Sequence, residues 1–355
     1  MNTTSLVHYL RRNLGLIAHI TRSRLLGRSF APDPRAHLFI ETTGYCNLEC
    51  RFCAYGKKVR ARTTMSQERF EDVVNQGVEM GFSTFYLTPV TGELFTDKGA
   101  MDKLAFLETT TGVRSFGFYT NLAAPSTHAV QRLFGLSKLT RLEISVYGED
   151  EEGFVRVTRR GSAQFRRLVS NLNVLADGLA THPLSVSISL RVGRTFRKDH
   201  WTGPLAEALG RLEAYPSVRI GFETRYDTWG GLIEEADVAG LDLTLEDGRA
   251  LYKFGACIMA LGSAQVTAAG RVTACACRDA GGRLTLGHLD EAPLSQILSL
   301  DNPIYRDLIQ DMQAGCFPEV CRSCGLYCSV YDPRWTLGHQ APPHTNLATC
   351  FRRMG

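Results

Sequence analysis

The sequence predicts an α/β fold built on a parallel sheet, open or barrel-like. Two observations predict it: strand-like and helix-like segments alternate through the first two thirds of the chain, and polar residues or cysteines follow the strand-like segments directly. Such alternation is typical of parallel sheets, whose chemistry lies at the carboxyl ends of the strands. The 355 residues suffice for one large domain or two medium ones.

Six short, largely apolar segments are the predicted strands of this sheet. They are residues 37–43, 84–88, 116–120, 142–146, 184–192 and 218–222. Ser66 is placed to cap a helix that runs to about Met80, because a serine hydroxyl accepts the free N–H groups of a first helical turn. Further helices are expected near 124–135, 163–178 and 203–213.

The composition describes a globular chain of near-neutral charge, with 44% hydrophobic and 21% charged residues. Forty Lys and Arg against 36 Asp and Glu leave a net charge of +4, which does not indicate nucleic-acid binding. No apolar run is long enough for a membrane span. Residues 1–35 are predicted to form a basic helical extension, which packs on the body or binds a membrane surface or a partner. They lack a secretory signal pattern, so we expect a cytoplasmic protein.

Eleven cysteines are the most informative part of the composition. An odd number excludes complete disulfide pairing within one chain, and clustered cysteines in a reducing compartment usually bind metal or act in catalysis. Cys46, Cys50 and Cys53 follow the first predicted strand with the spacing C-x3-C-x2-C, and the other eight lie beyond residue 256. Three thiolates on one loop can hold three irons of a 4Fe–4S cube and leave the fourth open. A zinc site is the alternative, but the triplet has no nearby fourth ligand.

The triplet, with aromatic Phe52 before its third cysteine, resembles the signature of the radical S-adenosylmethionine (SAM) superfamily. The resemblance implies a partial (β/α)6, TIM-like barrel over residues 36–235. It also implies that SAM binds the open iron of the 4Fe–4S cluster. SAM is then cleaved to methionine and a 5′-deoxyadenosyl radical, which removes a hydrogen atom from a substrate. An external one-electron reductant of the flavodoxin or ferredoxin type is the implied partner.

The same resemblance assigns a set of SAM-binding positions. They are Phe52, Thr91, Gly92, Glu93, Asn121, Ser145 and Arg191. The phenylalanine is expected beside the adenine, and the Thr-Gly-Glu segment stands where the family's GGE motif binds the amino group, with Thr91 in place of its first glycine. The asparagine and serine are expected to face the methionine or ribose, or else to be turn or cap residues. The arginine is expected to pair with the SAM carboxylate, or else to form a surface ion pair.

The cysteine-rich last hundred residues resemble the SPASM/Twitch extension of radical SAM enzymes. They contain a C-x12-G-x4-C segment and a C-x2-C pair. The resemblance implies a C-terminal domain over 257–355, joined to the barrel by a linker, 236–256. It implies an auxiliary 4Fe–4S cluster bound by Cys257, Cys275, Cys321 and Cys324, with a structural zinc knuckle as the alternative.

The four remaining cysteines have two interpretations. Cys277, Cys316, Cys328 and Cys350 are enough for a second auxiliary cluster, with Cys316 as one ligand, although their spacing departs from the usual SPASM pattern. If no second cluster exists, the candidate hydrogen donors are Cys328, Cys350 and Cys277, because a thiol S–H bond is weak.

Two short segments, 226–231 and 275–279, carry the expected substrate contacts. With residues 145–148 they resemble SPASM/Twitch enzymes of antibiotic and surface-glycan pathways, including aminoglycoside and oligosaccharide epimerases and dehydrogenases. The expected contacts are Tyr226, Asp227, Trp229, Arg278 and Asp279. Their polar groups suit sugar hydroxyls and their rings suit sugar faces. The alternative for the first segment is a turn with a core tryptophan.

The function expected from these features is hydrogen abstraction from a carbinol carbon of a sugar-like natural product. Epimerisation with a cysteine thiol as hydrogen donor is favoured. One alternative is dehydrogenation to a ketone, with the electron leaving through the auxiliary cluster. Another is maturation of a ribosomal peptide, which is disfavoured because about 35 residues before the first strand are too few for a peptide-recognition domain.

Overall fold

The computed structural model describes residues 3–87, 90–182, 184–337 and 341–355, with side chains from residue 13 onward. Its strands are β1 (Ala31–Pro32), β2 (Leu38–Ile40), β3 (Thr84–Leu87), β4 (Ser115–Thr120), β5 (Leu139–Tyr147), β6 (Ser185–Arg191), β7 (Val218–Glu223), β8 (Arg225–Asp227), β9 (Thr244–Glu246), β10 (Gln265–Val266), β11 (Arg271–Thr273), β12 (Thr285–His288) and β13 (His344–Thr345). Its α-helices are α1 (Thr3–Leu25), α2 (Gln67–Glu79), α3 (Ala100–Thr109), α4 (Thr127–Leu133), α5 (Glu151–Thr158), α6 (Ser162–Leu179), α7 (Pro204–Glu213), α8 (Ile258–Gly262), α9 (Leu294–Ile297), α10 (Pro303–Ala314), α11 (Glu319–Arg322) and α12 (Leu347–Met354). Short 3₁₀ helices cover Ala54–Lys57, Leu94–Thr96, Lys198–His200, Glu235–Val238, Gly248–Ala250 and Pro333–Leu337.

The fold is organised around a sheet with the strand order β12-β11-β10-β2-β3-β4-β5-β6-β7. All neighbours from β10 to β7 are parallel, and helices lie in the connections between β2 and β7. The six predicted strands correspond to β2 to β7, although Thr88, the last residue of the second, lies outside the described residues. The predicted α/β fold with a partial TIM-like barrel is therefore confirmed.

The two faces of the sheet differ in polarity, and β5 shows this most clearly. Leu142, Ile144 and Val146 are buried in the main hydrophobic core together with Leu168 and Leu172 of α6. The alternate residues on the other face are only partly buried; they are Arg141, Glu143, Ser145 and Tyr147. A strand of a parallel sheet covered on both faces would be apolar throughout. The polar face therefore borders a space inside the barrel, which we call the lumen.

Helix α2 shows how local sequence sets an element. The Ser66 hydroxyl accepts the N–H of Arg69 at 3.1 Å, as the capping prediction requires. Such a cap stabilises a helix by about 1 kcal/mol. Phe70, Val73 and Val74 then form the buried face of the helix.

The C-terminal cysteine-rich region continues the barrel sheet. Strand β10 pairs in parallel with β2, and β11 and β12 follow in antiparallel order. The predicted linker, 236–256, contains β9, which pairs in parallel with β8. The two parts of the chain thus share one hydrogen-bonded sheet.

The N-terminal helix α1 packs on the body through Leu16 and Ile20, which are both buried. Its Asn13 amide donates to the Ala250 carbonyl at 2.9 Å and accepts the Tyr252 N–H at 2.7 Å. Among the described residues, no helix combines the length and apolarity needed to cross a bilayer.

Candidate active site

The cysteine triplet lies on the loop after β2, at the carboxyl edge of the sheet. The sulfurs of Cys46 and Cys53 accept the backbone N–H groups of Leu48 and Tyr55, each at 3.4 Å. Burial raises the pKa of all three thiols. Buried thiols of this kind lose their protons when they bind a metal ion. Backbone N–H groups stabilise the negative charge on ligating sulfurs. The loop is therefore suited to binding a metal cluster.

Three hydrogen bonds fix this loop to its surroundings. Arg160 Nε donates to the Asn47 carbonyl at 3.0 Å, and the Tyr55 hydroxyl donates to the Cys46 carbonyl at 3.1 Å. The N–H of Glu93 donates to the Tyr45 carbonyl at 2.7 Å. This last bond joins the triplet to the Thr91-Gly92-Glu93 segment after β3.

Glu93 and Asn121 meet beside the triplet, where the chain leaves β3 and β4. The buried Glu93 carboxylate accepts the Thr120 hydroxyl and the Asn121 N–H, both at 2.7 Å. The Asn121 side chain donates to Asn47 Oδ1 at 2.8 Å and accepts the Ala123 N–H at 2.9 Å. The ends of β3 and β4 are thereby tied to the cysteine loop.

Arg191 ends β6 beside an aromatic group that includes Phe52. Its guanidinium lies 5.9 Å from the Phe52 ring centre and 5.4 Å from that of Tyr147. Tyr226, predicted to contact substrate, packs on Phe52 with ring centres 4.5 Å apart. Its hydroxyl donates to the Glu223 carbonyl at 3.2 Å. The positive charge of Arg191 also lowers the pKa of the Cys50 and Cys53 thiols, against the larger effect of burial.

The lumen contains polar side chains that the sequence analysis did not single out. Arg141 and Glu143 form an ion pair, and the Tyr86 hydroxyl hydrogen-bonds to Arg141. Tyr119 is 40% exposed although it lies in a central strand, so the lumen is open to solvent there. Ser145 follows on the same face of β5. Alternation of polar and apolar residues from Arg141 to Val146 of β5 is the signal that could have identified this face.

A small apolar cavity in the C-terminal region is lined by cysteines. They are Cys257, Cys275, Cys277, Cys321 and Cys324. Four of these are the predicted auxiliary ligands. The fifth, Cys277, hydrogen-bonds through its thiol to Cys275, which lowers the pKa of Cys275 and raises that of Cys277.

The other three cysteines lie elsewhere. Cys328 is adjacent to the cavity, where its carbonyl accepts the Ile258 N–H at 3.0 Å. Cys316 is exposed just after α10. Cys350 is fully buried in α12, and its thiol contacts Met354 Sδ at 3.7 Å. The structure does not bring Cys316 or Cys350 to the cavity.

The segment between the auxiliary cysteines and β12 reaches the triplet loop. Ala280 packs with Ala54, the residue after the triplet, in a small buried cluster. The Arg278 guanidinium lies 4.6 Å from the Trp229 ring centre, and its charge lowers the pKa of the Cys53 thiol, which burial raises. Burial raises the pKa of Tyr119, and the charges of Glu143 and Cys277 raise it further.

Asp227 connects several of these parts. Its Oδ1 accepts Arg278 Nε at 2.8 Å and the Trp229 N–H at 2.7 Å, and its Oδ2 accepts the Gly325 N–H at 2.6 Å. Asp279 likewise accepts two backbone N–H groups of its own turn at 2.7 Å. Both carboxylates, predicted to contact substrate, are thus bonded within the protein.

Residues 40–179 match the family model of the radical SAM superfamily. The chain contains a radical SAM domain. No curated protein matches the sequence significantly.

Solved radical SAM structures share the fold well beyond that domain. BtrN in complex with AdoMet and 2-DOIA is 14% identical, with a TM-score of 0.52 over 81% of this chain and 92% of that chain. SuiB of Streptococcus suis bound to S-adenosylmethionine is 12% identical, with a TM-score of 0.54; the match covers 91% of this chain and 78% of that chain. Native anSMEcpe with bound AdoMet is 13% identical, with a TM-score of 0.52; the match covers 90% of this chain and 95% of that chain. These likenesses establish the fold, including that of the C-terminal region.

A radical SAM domain uses a 4Fe–4S cluster and SAM, together with an external reductant. The residues present fit this cluster: three largely buried thiols share one loop, and backbone donors serve two of the sulfurs. Each ligand of a cube binds a different iron, so the thiols need not converge on one point. Within the described ranges, no three His, Cys, Asp or Glu side chains converge on a single ion position.

The buried Glu93 predicts a pH-dependent stability of the metal-free protein. Burial raises its pKa from 4.5 to about 7. Its stabilising contribution is therefore complete below about pH 4.5 and is lost as the pH rises through 7, a change of about 3 kcal/mol. Glu93→Gln is expected to remove this change from denaturant unfolding measured at pH 5 and pH 8. Glu68 is exposed, so the control Glu68→Gln should keep the wild-type difference in unfolding free energy between pH 5 and pH 8. If Glu93→Gln also kept this difference, Glu93 would not be its source.

Proposed function

We propose that the chain is a radical SAM epimerase that inverts a carbinol carbon of a sugar-like substrate, with Cys277 as the hydrogen donor. The observation that supports this proposal most directly is that Cys277 lines the C-terminal cavity as a fifth cysteine beside the four predicted cluster ligands. A closed cube needs four thiolates, and the predicted set leaves Cys277 over. The charge of Cys277 also raises the pKa of Tyr119, whose side chain is exposed to the lumen, and this supports a position of the thiol within reach of the substrate.

The lumen suits a polyhydroxylated substrate. Its wall offers the hydroxyl groups of Tyr119 and Ser145 and the Arg141–Glu143 ion pair, which donate to and accept from substrate hydroxyls. BtrN, whose fold this chain shares, was solved with the small ligand 2-DOIA, which supports a small-molecule substrate.

The reaction requires one hydrogen atom to leave the substrate and another to return. When bound, the cluster and SAM would supply the radical chemistry that removes the hydrogen atom from the carbinol carbon. The S–H bond of Cys277 then breaks, and its hydrogen atom forms a new C–H bond on the opposite face. The sulfur radical takes one electron from the external reductant and one proton from water, which restores the thiol.

An anaerobic assay in deuterium oxide tests this proposal. The Cys277 thiol exchanges with solvent, so the inverted product is expected to carry one deuterium at the inverted carbon. In Cys277→Ser, SAM cleavage should continue while formation of the inverted product falls about a hundredfold or more, since a serine O–H bond is too strong to donate a hydrogen atom.

Cys316→Ser is the matched control, because Cys316 is exposed and lies outside the cavity. It should give labelled product at the wild-type rate with iron content unchanged. A carbonyl product that has lost two hydrogens and carries no label would instead establish a dehydrogenase. Glu143 favours that second candidate, because its carboxylate in the lumen could accept the hydroxyl proton.

A further inference from the structure

The side-chain amide of Asn47 is only half satisfied. Its Oδ1 accepts Asn121 Nδ2 at 2.8 Å, whereas its buried Nδ2 has no hydrogen-bond partner in the described part of the chain. An unsatisfied buried donor is costly in a folded protein, so each such group calls for an explanation. Asn47 follows Cys46 directly in the sequence and lies in the loop of the triplet.

The orientation of this amide follows from its neighbours. Asn121 Oδ1 accepts the Ala123 N–H at 2.9 Å, so Asn121 must present its Nδ2 on the other side. That Nδ2 needs an acceptor, and Asn47 Oδ1 supplies it. If the Asn47 amide were rotated by 180°, its Nδ2 would face Asn121 Nδ2, and if the Asn121 amide were rotated, its Nδ2 would face the Ala123 N–H. Either rotation would therefore place two donors against each other. The chain of bonds therefore directs Asn47 Nδ2 away from Asn121.

The Asn47 side chain lies against Cys46, a predicted ligand of the cluster. Cys46 Sγ lies 3.9 Å from Asn47 Oδ1 and 3.9 Å from Asn121 Nδ2. The backbone of Asn47 is held in place by Arg160, whose Nε donates to its carbonyl at 3.0 Å. Asn121 thus orients the side-chain amide and Arg160 holds the backbone, so the direction of the free donor is fixed on a residue that lies against Cys46.

We propose that Asn47 Nδ2 is a further binding group of the radical SAM site, donating to an anionic acceptor that arrives with the loaded cluster. Two acceptors share this chemistry: a sulfur of the cluster and the carboxylate of SAM. A hydrogen bond to sulfur raises a cluster's reduction potential. A hydrogen bond to a carboxylate is charge-assisted and strengthens binding of that ligand. The proposal is independent of the reaction that follows SAM cleavage.

The test compares reconstituted wild-type protein with Asn47→Ala in two measurements. A redox titration followed by electron paramagnetic resonance (EPR), without SAM, reports the cluster potential. Calorimetric titration with SAM reports the dissociation constant. A more negative potential identifies a cluster sulfur as the acceptor, and an increase in the dissociation constant of about tenfold or more identifies the SAM carboxylate.

Asn47→Asp is a second variant in case the alanine variant does not take up its cluster. The aspartate keeps an oxygen that accepts from Asn121, but a carboxylate oxygen replaces the Nδ2 donor and repels either anionic acceptor. Whichever quantity changes in Asn47→Ala, the cluster potential or the dissociation constant of SAM, should therefore change in the same direction in Asn47→Asp. Asn173→Ala is the matched control, because Asn173 on α6 donates to its own helix at Val169. Wild-type potential and SAM affinity in a cluster-loaded Asn47 variant would overturn the proposal, as would equal changes in the control.

Discussion

Cys50→Ala is expected to abolish reductive cleavage of SAM, lowering its rate by a factor on the order of 10³ or more, or about 4 kcal/mol. Cys50 is buried in the triplet loop between Cys46 and Cys53. Alanine leaves two thiolates where an open cube takes three. The loop is fixed by its backbone hydrogen bonds to Glu93 and Arg160, so it cannot readily recruit a replacement ligand.

Formation of methionine and 5′-deoxyadenosine after anaerobic reconstitution and reduction measures this effect, and EPR reports the cluster itself. Tyr45→Phe is the matched control, because Tyr45 lies in the same loop, next to Cys46, with its side chain about half exposed. It should cleave SAM at close to the wild-type rate. Normal cleavage by Cys50→Ala would contradict the assignment of the triplet.

Asp227→Ala is expected to destabilise the protein by about 3 kcal/mol and to impair loading of the auxiliary cluster. The side chain is 6% exposed, and its removal leaves the Arg278 guanidinium, itself 22% exposed, without its carboxylate. Loss of one partner of a buried ion pair costs about 3–5 kcal/mol, and partial exposure of the arginine favours the lower end. The Gly325 N–H, next to Cys324, loses its acceptor in the same substitution.

Denaturant unfolding of the metal-free protein and iron content after reconstitution measure these two effects. Iron should fall from about eight towards about four atoms per chain, since each cube holds four. Asp247→Asn is the control, because its carboxylate is 47% exposed and pairs with Arg249 at the surface. Unchanged stability and iron content in Asp227→Ala would show that Asp227 does not organise this region.

Much of the barrel was predictable because short-range patterns determine it. Alternating segments identify β2 to β7, and the Ser66 cap defines the start of α2. The triplet was equally readable, because its spacing is local and chemically specific. These features depend on residues a few positions apart, which a single sequence displays directly.

The rest depends on contacts between distant residues. Asp227 was predicted to contact substrate, yet its partners lie 51 and 98 residues away, at Arg278 and Gly325. Tyr226 was expected to contact substrate, and its packing on Phe52 depends on how β8 passes the triplet loop. The polar face of β5 that carries Glu143 can be read from its alternating residues, whereas the closure of that face around a lumen depends on the curvature of the sheet.

The pairing of β10 with β2 limits how this protein can be divided. The N–H groups of Phe39 and Glu41 donate to the carbonyls of Ala264 and Val266. A barrel truncated before residue 257 would expose that edge of β2, and free strand edges recruit other copies of a chain. Chimaeras that exchange C-terminal extensions between enzymes therefore need to carry β10 with the barrel, so that the crossover point falls after Val266 and not within the intervening segment.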